Sequence, residues 1–285
     1  MLTYKSTYNN FETMTTKINP IILQVLNVIA VISVIIINIL ANVLPINGVN
    51  TGQVSDLYFN YFTPAGYVFS IWFIIYIQSI IFIIYQVRSS QREETYLTKI
   101  NIFYFFGALA NIAWIFFFHY SANPQFPPFF FASVVMLLTL LLLVLLVFIR
   151  LGIGKDAVPR NEKLAVHLHI SVYLAWLGVA SIAAIASGLN VIILGIPDTT
   201  QWFATAIMAI VAMLLAVLMV YLRRDFGFAL VVLWASVGIA LKWLFIPIIA
   251  YTAITTSVII VIALIVVPLI KRDGFVEYYL GPRKT

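Results

Sequence analysis

Cysteine is absent from all 285 residues, which excludes thiolate metal sites, dithiol redox chemistry and disulfide staples. Charge is scarce as well: 9% of residues are charged, against about 25% in an ordinary soluble domain. Other absences narrow the function. The chain has no Ser/His/Asp constellation, no paired carboxylates within its apolar runs, no glycine-rich phosphate loop and no arginine-rich voltage sensor. Neither an enzyme nor an ion-coupled pump is therefore expected, and no cofactor is called for. His167 and His169 stand two apart, so on a helix they point in different directions, with no third ligand nearby in sequence. They are expected to be interfacial histidines rather than metal ligands.

What the chain does contain is apolar: 63% of its residues are hydrophobic and its mean hydropathy is +1.07. A single water-facing core would leave much of that surface exposed, whereas lipid accepts it. Uncharged or nearly uncharged runs fall at about 21 to 44, 64 to 87, 100 to 118, 127 to 149, 165 to 187, 202 to 222, 226 to 245 and 247 to 270. Each suits a helix crossing about 30 Å of hydrocarbon. They do not alternate polar and apolar residues as barrel strands do, and within hydrocarbon a helix satisfies its own backbone. The fold class expected is an all-α membrane protein with about eight transmembrane helices. Residues 1–19 are polar and the run that follows is long enough to remain as a span, so no cleaved signal is expected.

Lys and Arg supply the orientation. The terminal segments and alternate connections hold Lys5, Lys17, Arg88, Arg92, Lys99, Arg150, Lys155, Arg160, Lys163, Arg223, Arg224, Lys271, Arg272, Arg283 and Lys284, while the other connections hold only Lys242. This asymmetry predicts both termini on the cytoplasmic side. The basic residues sit in short clusters between apolar runs, so despite a formal net charge of +6 the partner expected is membrane lipid, with no nucleic acid. Lys242 lies beside Trp243 near the exported end of its run, where a long side chain is expected to snorkel. The turn at Arg223, Arg224 and Asp225 is tight enough to make the sixth and seventh helices antiparallel neighbours. The first exported connection, Pro45 to Thr63, is long for a tether and reads as either a lid or a partly ordered hairpin loop.

Three runs carry unusual residues. The second opens on Pro64 and continues through Phe69 and Trp72 to Tyr76, which share one helical stripe. The third holds Asn111, Trp114, Phe117 and Phe118; an Asn in a span must find a partner, either another helix or a ligand. The fifth contains Tyr173, Trp176, Gly178, Ala180, Ala183 and Ala184, which serve close helix approach or an aromatic wall beside a shallow recess. Gly107, Ala110, Gly178 and Ala184 fit intrachain packing and a homodimer equally well. The fourth and eighth runs are low-complexity, lipid-facing stretches with little functional information.

In their order and spacing, the second, third and fifth segments resemble the TspO/translocator-protein family, the tryptophan-rich sensory proteins. The resemblance covers about residues 21 to 190. Two positions depart from the family's pattern: Val172 stands where it usually has Pro, and Ala184 where it usually has Asn. The resemblance implies a five-helix transmembrane bundle over 21–195; the later apolar runs add a three-helix extension over 196–270 that the five-helix family lacks, and the Lys and Arg asymmetry makes 1–20 and 271–285 cytoplasmic segments. The resemblance also implies a pocket, covered by the Pro45 to Thr63 loop, for a hydrophobic planar molecule such as a porphyrin. Phe69, Trp72, Tyr76, Asn111, Trp114, Tyr173, Trp176 and Ala180 are its candidate ligand-binding residues. The expected function is a membrane receptor or carrier for a tetrapyrrole-like molecule in the plasma membrane of a prokaryote. The alternatives are a transporter whose last three helices complete a translocation path, and a scaffold whose aromatic stripes only pack helices.

Overall fold

The computed structural model describes residues 18–44, 46–123 and 127–271. Lys5, Lys17, Pro45, Arg272, Arg283 and Lys284 lie outside the described residues, with most of the two terminal segments. Among those described, the chain is helical throughout and the long helices follow the apolar runs: α1 (Pro20–Val43), α2 (Thr51–Leu57), α3 (Ile71–Gln86), α4 (Thr95–Ile100), α5 (Phe103–Tyr120), α6 (Pro127–Leu151), α7 (Leu168–Ile192), α8 (Asp198–Arg223), α9 (Phe226–Lys242) and α10 (Pro247–Lys271). Local chemistry sets the ends. Asn19 Oδ1 accepts from the Ile21 amide ahead of Pro20, and Pro197 leads into α8. Arg224, at φ +54°, stops α8 in a left-handed turn.

Among the described residues, seven helices are long and apolar enough to cross a membrane; α9, also apolar, has 17 residues. Its length of about 25 Å falls short of the hydrocarbon thickness. Its sides are covered instead by α7, α8 and α10, and its inward face is rich in small residues such as Gly227, Ala229, Ala235 and Gly238. This is an all-α integral membrane protein. Apolar side chains including Ile22, Val25, Ile29 and Ile36 on α1 and Leu142 and Ile149 on α6 point outward, as lipid contact requires.

The pairs α1 with α5, α5 with α6, and α6 with α7 build the first bundle, and α8, α9 and α10 pack on one another. The tight turn makes α8 and α9 neighbours, as its length predicts. One apolar core reaches from Ala30 on α1 to Ala253 on α10, so the last three helices share it with the first five. Gly107 packs within the chain, where a Cβ would sit 3.5 Å from Leu140 Cδ1, and Ala184 faces a cavity.

At the end opposite the lid, the basic connections are knitted together. Lys99 pairs with Asp156 at 2.8 Å, Arg150 Nε donates to Lys99 O, Arg223 Nη1 donates to Ile153 O, and Lys271 reaches the Tyr221 carbonyl. Gly154, at φ +77°, lets its connection lie against the Arg223 carbonyl, which any Cβ would strike. The histidines are not interfacial. Both are buried: His167 Nε2 lies 3.6 Å from Glu162 Oε1, and His169 Nε2 lies 2.8 Å from the Tyr104 hydroxyl. The expectation failed because the helix that carries them is enclosed at this end as well as at its centre.

Asp225 caps α9, accepting from the Phe228 amide at 3.0 Å and from Ser171 Oγ at 2.7 Å. Burial dominates and pushes its carboxyl up to about 6, against the pull of those two donors. Because the folded value lies above the unfolded one, this stabilising contribution is complete below about pH 4 and is lost as pH rises through about 6. Asp225→Asn keeps the Oδ1 cap but does not titrate. Its thermal midpoint in detergent should therefore rise relative to wild type between those pH values, and a constant difference would contradict the assignment.

Candidate functional site

The connection after α1 folds over one end of the bundle as an ordered cover. Asn47, at φ +56°, turns the chain, and Asn50 caps α2 in a box with Gln53. His119, at the end of α5, anchors this cover. Its Nδ1 faces Val49 O at 3.0 Å, its Nε2 faces Thr51 Oγ1 at 3.1 Å, and Asn47 Nδ2 donates to its carbonyl at 3.2 Å. A neutral imidazole donating from Nδ1 and accepting at Nε2 satisfies this set. Further along, the Tyr58 hydroxyl donates to Ser121 O, Asn60 Nδ2 donates to Ser187 Oγ, and that hydroxyl donates to Tyr58 O. These bonds decide between the two readings of the loop in favour of a lid.

The extension braces the lid's far end. Tyr61 meets Trp243 at 4.9 Å and Trp202 at 6.2 Å between ring centroids. The Ala65 amide donates to Gly238 O, and Trp234 Nε1 donates to Val68 O. Gly238 permits this approach, since a Cβ there would stand 2.2 Å from Val68 Cγ2 and 3.1 Å from Pro64 Cβ. Helix α9 thus fixes the 3₁₀ turn Gly66–Ser70 that carries Phe69 into the site.

Beneath the lid lies a cavity with about 690 Å3 of unfilled space, counting its open side. Phe69, Trp72, Trp114, Trp176 and Ala180 all line it. Trp72 lies nearly parallel to Trp114 (6.0 Å, 22°) and to Tyr76 (5.8 Å, 26°), and Trp114 continues the row to Phe118 (5.7 Å, 21°). Phe69 and Trp72 both stand edge-on to Trp176. On the helix that carries Trp176, Ala180, Ala183 and Ala184 also line the cavity with small side chains. The Trp176 indole N–H is buried and has no hydrogen-bond partner, an arrangement that costs free energy unless a further group accepts it.

The other candidates lie deeper. Tyr76 and Tyr173, with Trp72, line a second space of about 420 Å3, counting its open side. Asn111 lines neither. Its Oδ1 accepts from Asn38 Nδ2 at 2.8 Å and its Nδ2 donates to the Tyr173 hydroxyl at 3.1 Å, so it ties α1, α5 and α7 together behind the aromatic row. Several lining residues were not foreseen. The lid contributes Thr51, Ser55 and Tyr58, and α6 contributes Phe130, Ser133 and Leu137. The fourth run is therefore a wall of the site, although a uniformly apolar stretch gives no sign of which face turns inward.

A family model described as TSPO-like protein matches residues 24–266, which takes in α8, α9 and most of α10 as well as the first bundle. No curated protein and no solved structure matches the chain.

Proposed function

The chain belongs to the TSPO-like protein family, and from that premise we propose that it is a non-enzymatic membrane receptor or carrier holding a flat hydrophobic molecule, tetrapyrrole-like in shape, beneath its lid. The observation that carries this reading is the near-parallel row Tyr76, Trp72, Trp114 and Phe118 beside an indole N–H that lacks an acceptor. Flat π faces favour a flat π partner, and a buried donor orients it through an acceptor at the ligand's edge. The lid supplies enclosure, and the alanines leave that side of the cavity lined by small apolar groups.

The asymmetry of Lys and Arg supports cytoplasmic termini, with lipid around the bundle, and the membrane proposed is the plasma membrane of a prokaryote.

The test is a titration of the detergent-purified chain with protoporphyrin IX, followed by the Soret band and by thermal denaturation. Saturable binding should raise stability by about 2.7 kcal/mol at a hundredfold excess over Kd. Absence of both a spectral shift and stabilisation would remove the tetrapyrrole reading.

A transporter is the second reading, favoured by one feature: Trp72 lines the lid cavity, the deeper cavity and the mouth, so three spaces adjoin one side chain. Protoporphyrin flux in proteoliposomes distinguishes it, since a receptor binds without moving the molecule across.

A further inference from the structure

The mouth of the site meets the extension at one charged group. A space of about 1,290 Å3, counting its open side, runs between α1, the lid and the turn at Pro64, bounded by the rings of Trp72 and Trp114. Lys242, the last residue of α9, lines it, as does Asp56 of the lid. Lys242 is half-buried, and its ammonium makes no hydrogen bond and no ion pair with a described residue. Its organised contact is with the ring of its neighbour Trp243, at 5.4 Å.

Snorkelling alone explains a lysine at a helix end, but it directs the side chain along the lipid-facing surface to water. Here the outward positions are taken by Leu241, Leu244 and Phe245, the last 97% exposed, while Lys242 turns into the mouth. A half-buried ammonium that senses Asp56 across this space but makes no ion pair with it, at a mouth that two indoles also line, is an incomplete site.

We propose that Lys242 is an anion subsite, whose ammonium takes the carboxylate of an amphiphile with its flat apolar body against Trp72 and Trp114. The proposal rests on the reading of the cavity as a site for a flat hydrophobic molecule and adds that the molecule carries an acidic edge group. Charge-assisted hydrogen bonds are about twice as strong as neutral ones, so this group discriminates an acid from its ester. Asp56 faces the same space and opposes an anionic ligand. Through Lys242 the three-helix extension takes a part in selecting the ligand.

The experiment compares protoporphyrin IX with its dimethyl ester on the purified full chain, as wild type, Lys242→Met, Lys242→Arg and Asp56→Asn. The quantity read is the ratio of the ester's Kd to the acid's in each variant relative to that ratio in wild type, so that the partitioning of each probe into detergent cancels. Lys242→Met should lower that ratio roughly tenfold while leaving ester affinity and the unliganded thermal midpoint unchanged. Lys242→Arg should retain most of the ratio, and Asp56→Asn should raise it. A wild-type ratio in Lys242→Met, or no rise in Asp56→Asn, overturns the subsite while leaving the cavity reading intact. If wild type binds neither probe, the cavity reading falls and the subsite with it.

Discussion

Replacing Trp176 or Trp72 by Ala should weaken protoporphyrin IX binding about thirtyfold or more, because truncating a packed aromatic anchor costs about 2 kcal/mol or above. Trp72 has the larger expected effect, since it stacks in the row with Tyr76 and Trp114 and also borders the deeper cavity. Trp176→Phe separates ring from donor: it keeps the edge-on contacts with Phe69 and Trp72 and removes the unpartnered N–H. Its loss should be smaller than that of Trp176→Ala. Phe203→Ala, at a position 61% exposed on α8, serves as the control and should bind as wild type does. Soret titration of the four variants and wild type reads the outcome. Equal affinity across the set would remove the aromatic row from the site.

The second large effect is structural. Gly238→Ala should destabilise the protein by about 1 to 3 kcal/mol, the usual range for overpacking a close contact, because the added methyl would meet Val68 and Pro64. The same substitution at Gly178, where nothing lies within 4 Å, should be neutral or stabilise by up to about 1 kcal/mol through helix propensity. One chemical change with opposite signs on two helices isolates packing from propensity. Thermal denaturation in detergent measures both. Gly238→Ala should also weaken ligand binding although residue 238 touches neither aromatic cavity, because it moves the turn that carries Phe69. A midpoint unchanged in Gly238→Ala would mean that α9 can withdraw from Pro64 and Val68 at no cost.

The spans and the aromatic candidates were legible for related reasons. A charge is so costly in hydrocarbon that its scarcity marks each helix. Indoles are rare enough that Trp72, Trp114 and Trp176, each at a fixed place in its own run, could be recognised as one set. Asn111 was legible only as a residue in need of a partner; Asn38 and Tyr173, 73 and 62 positions away, became its partners through folding. The fourth run hid its part because Leu, Val and Phe recur on every face, and only neighbouring helices decide that Phe130 and Leu137 turn inward. His167 and His169 look interfacial by position along the chain, but position along a helix does not say how deeply its end is enclosed.

Lys242 shows the same division most clearly. Composition and spacing alone establish a lipid-embedded helical bundle with an uneven distribution of Lys and Arg, because transfer of apolar and charged groups between water and hydrocarbon depends on each residue's own chemistry. Whether the ammonium points to lipid headgroups or into the mouth depends on the rotation of α9. That rotation is set by packing on α7, α8 and α10 together with the close approach of Gly238 to the Pro64 to Val68 segment, about 170 residues earlier. Only the folded arrangement supplies such contacts, since helical periodicity places a side chain on a face and packing alone chooses what that face meets.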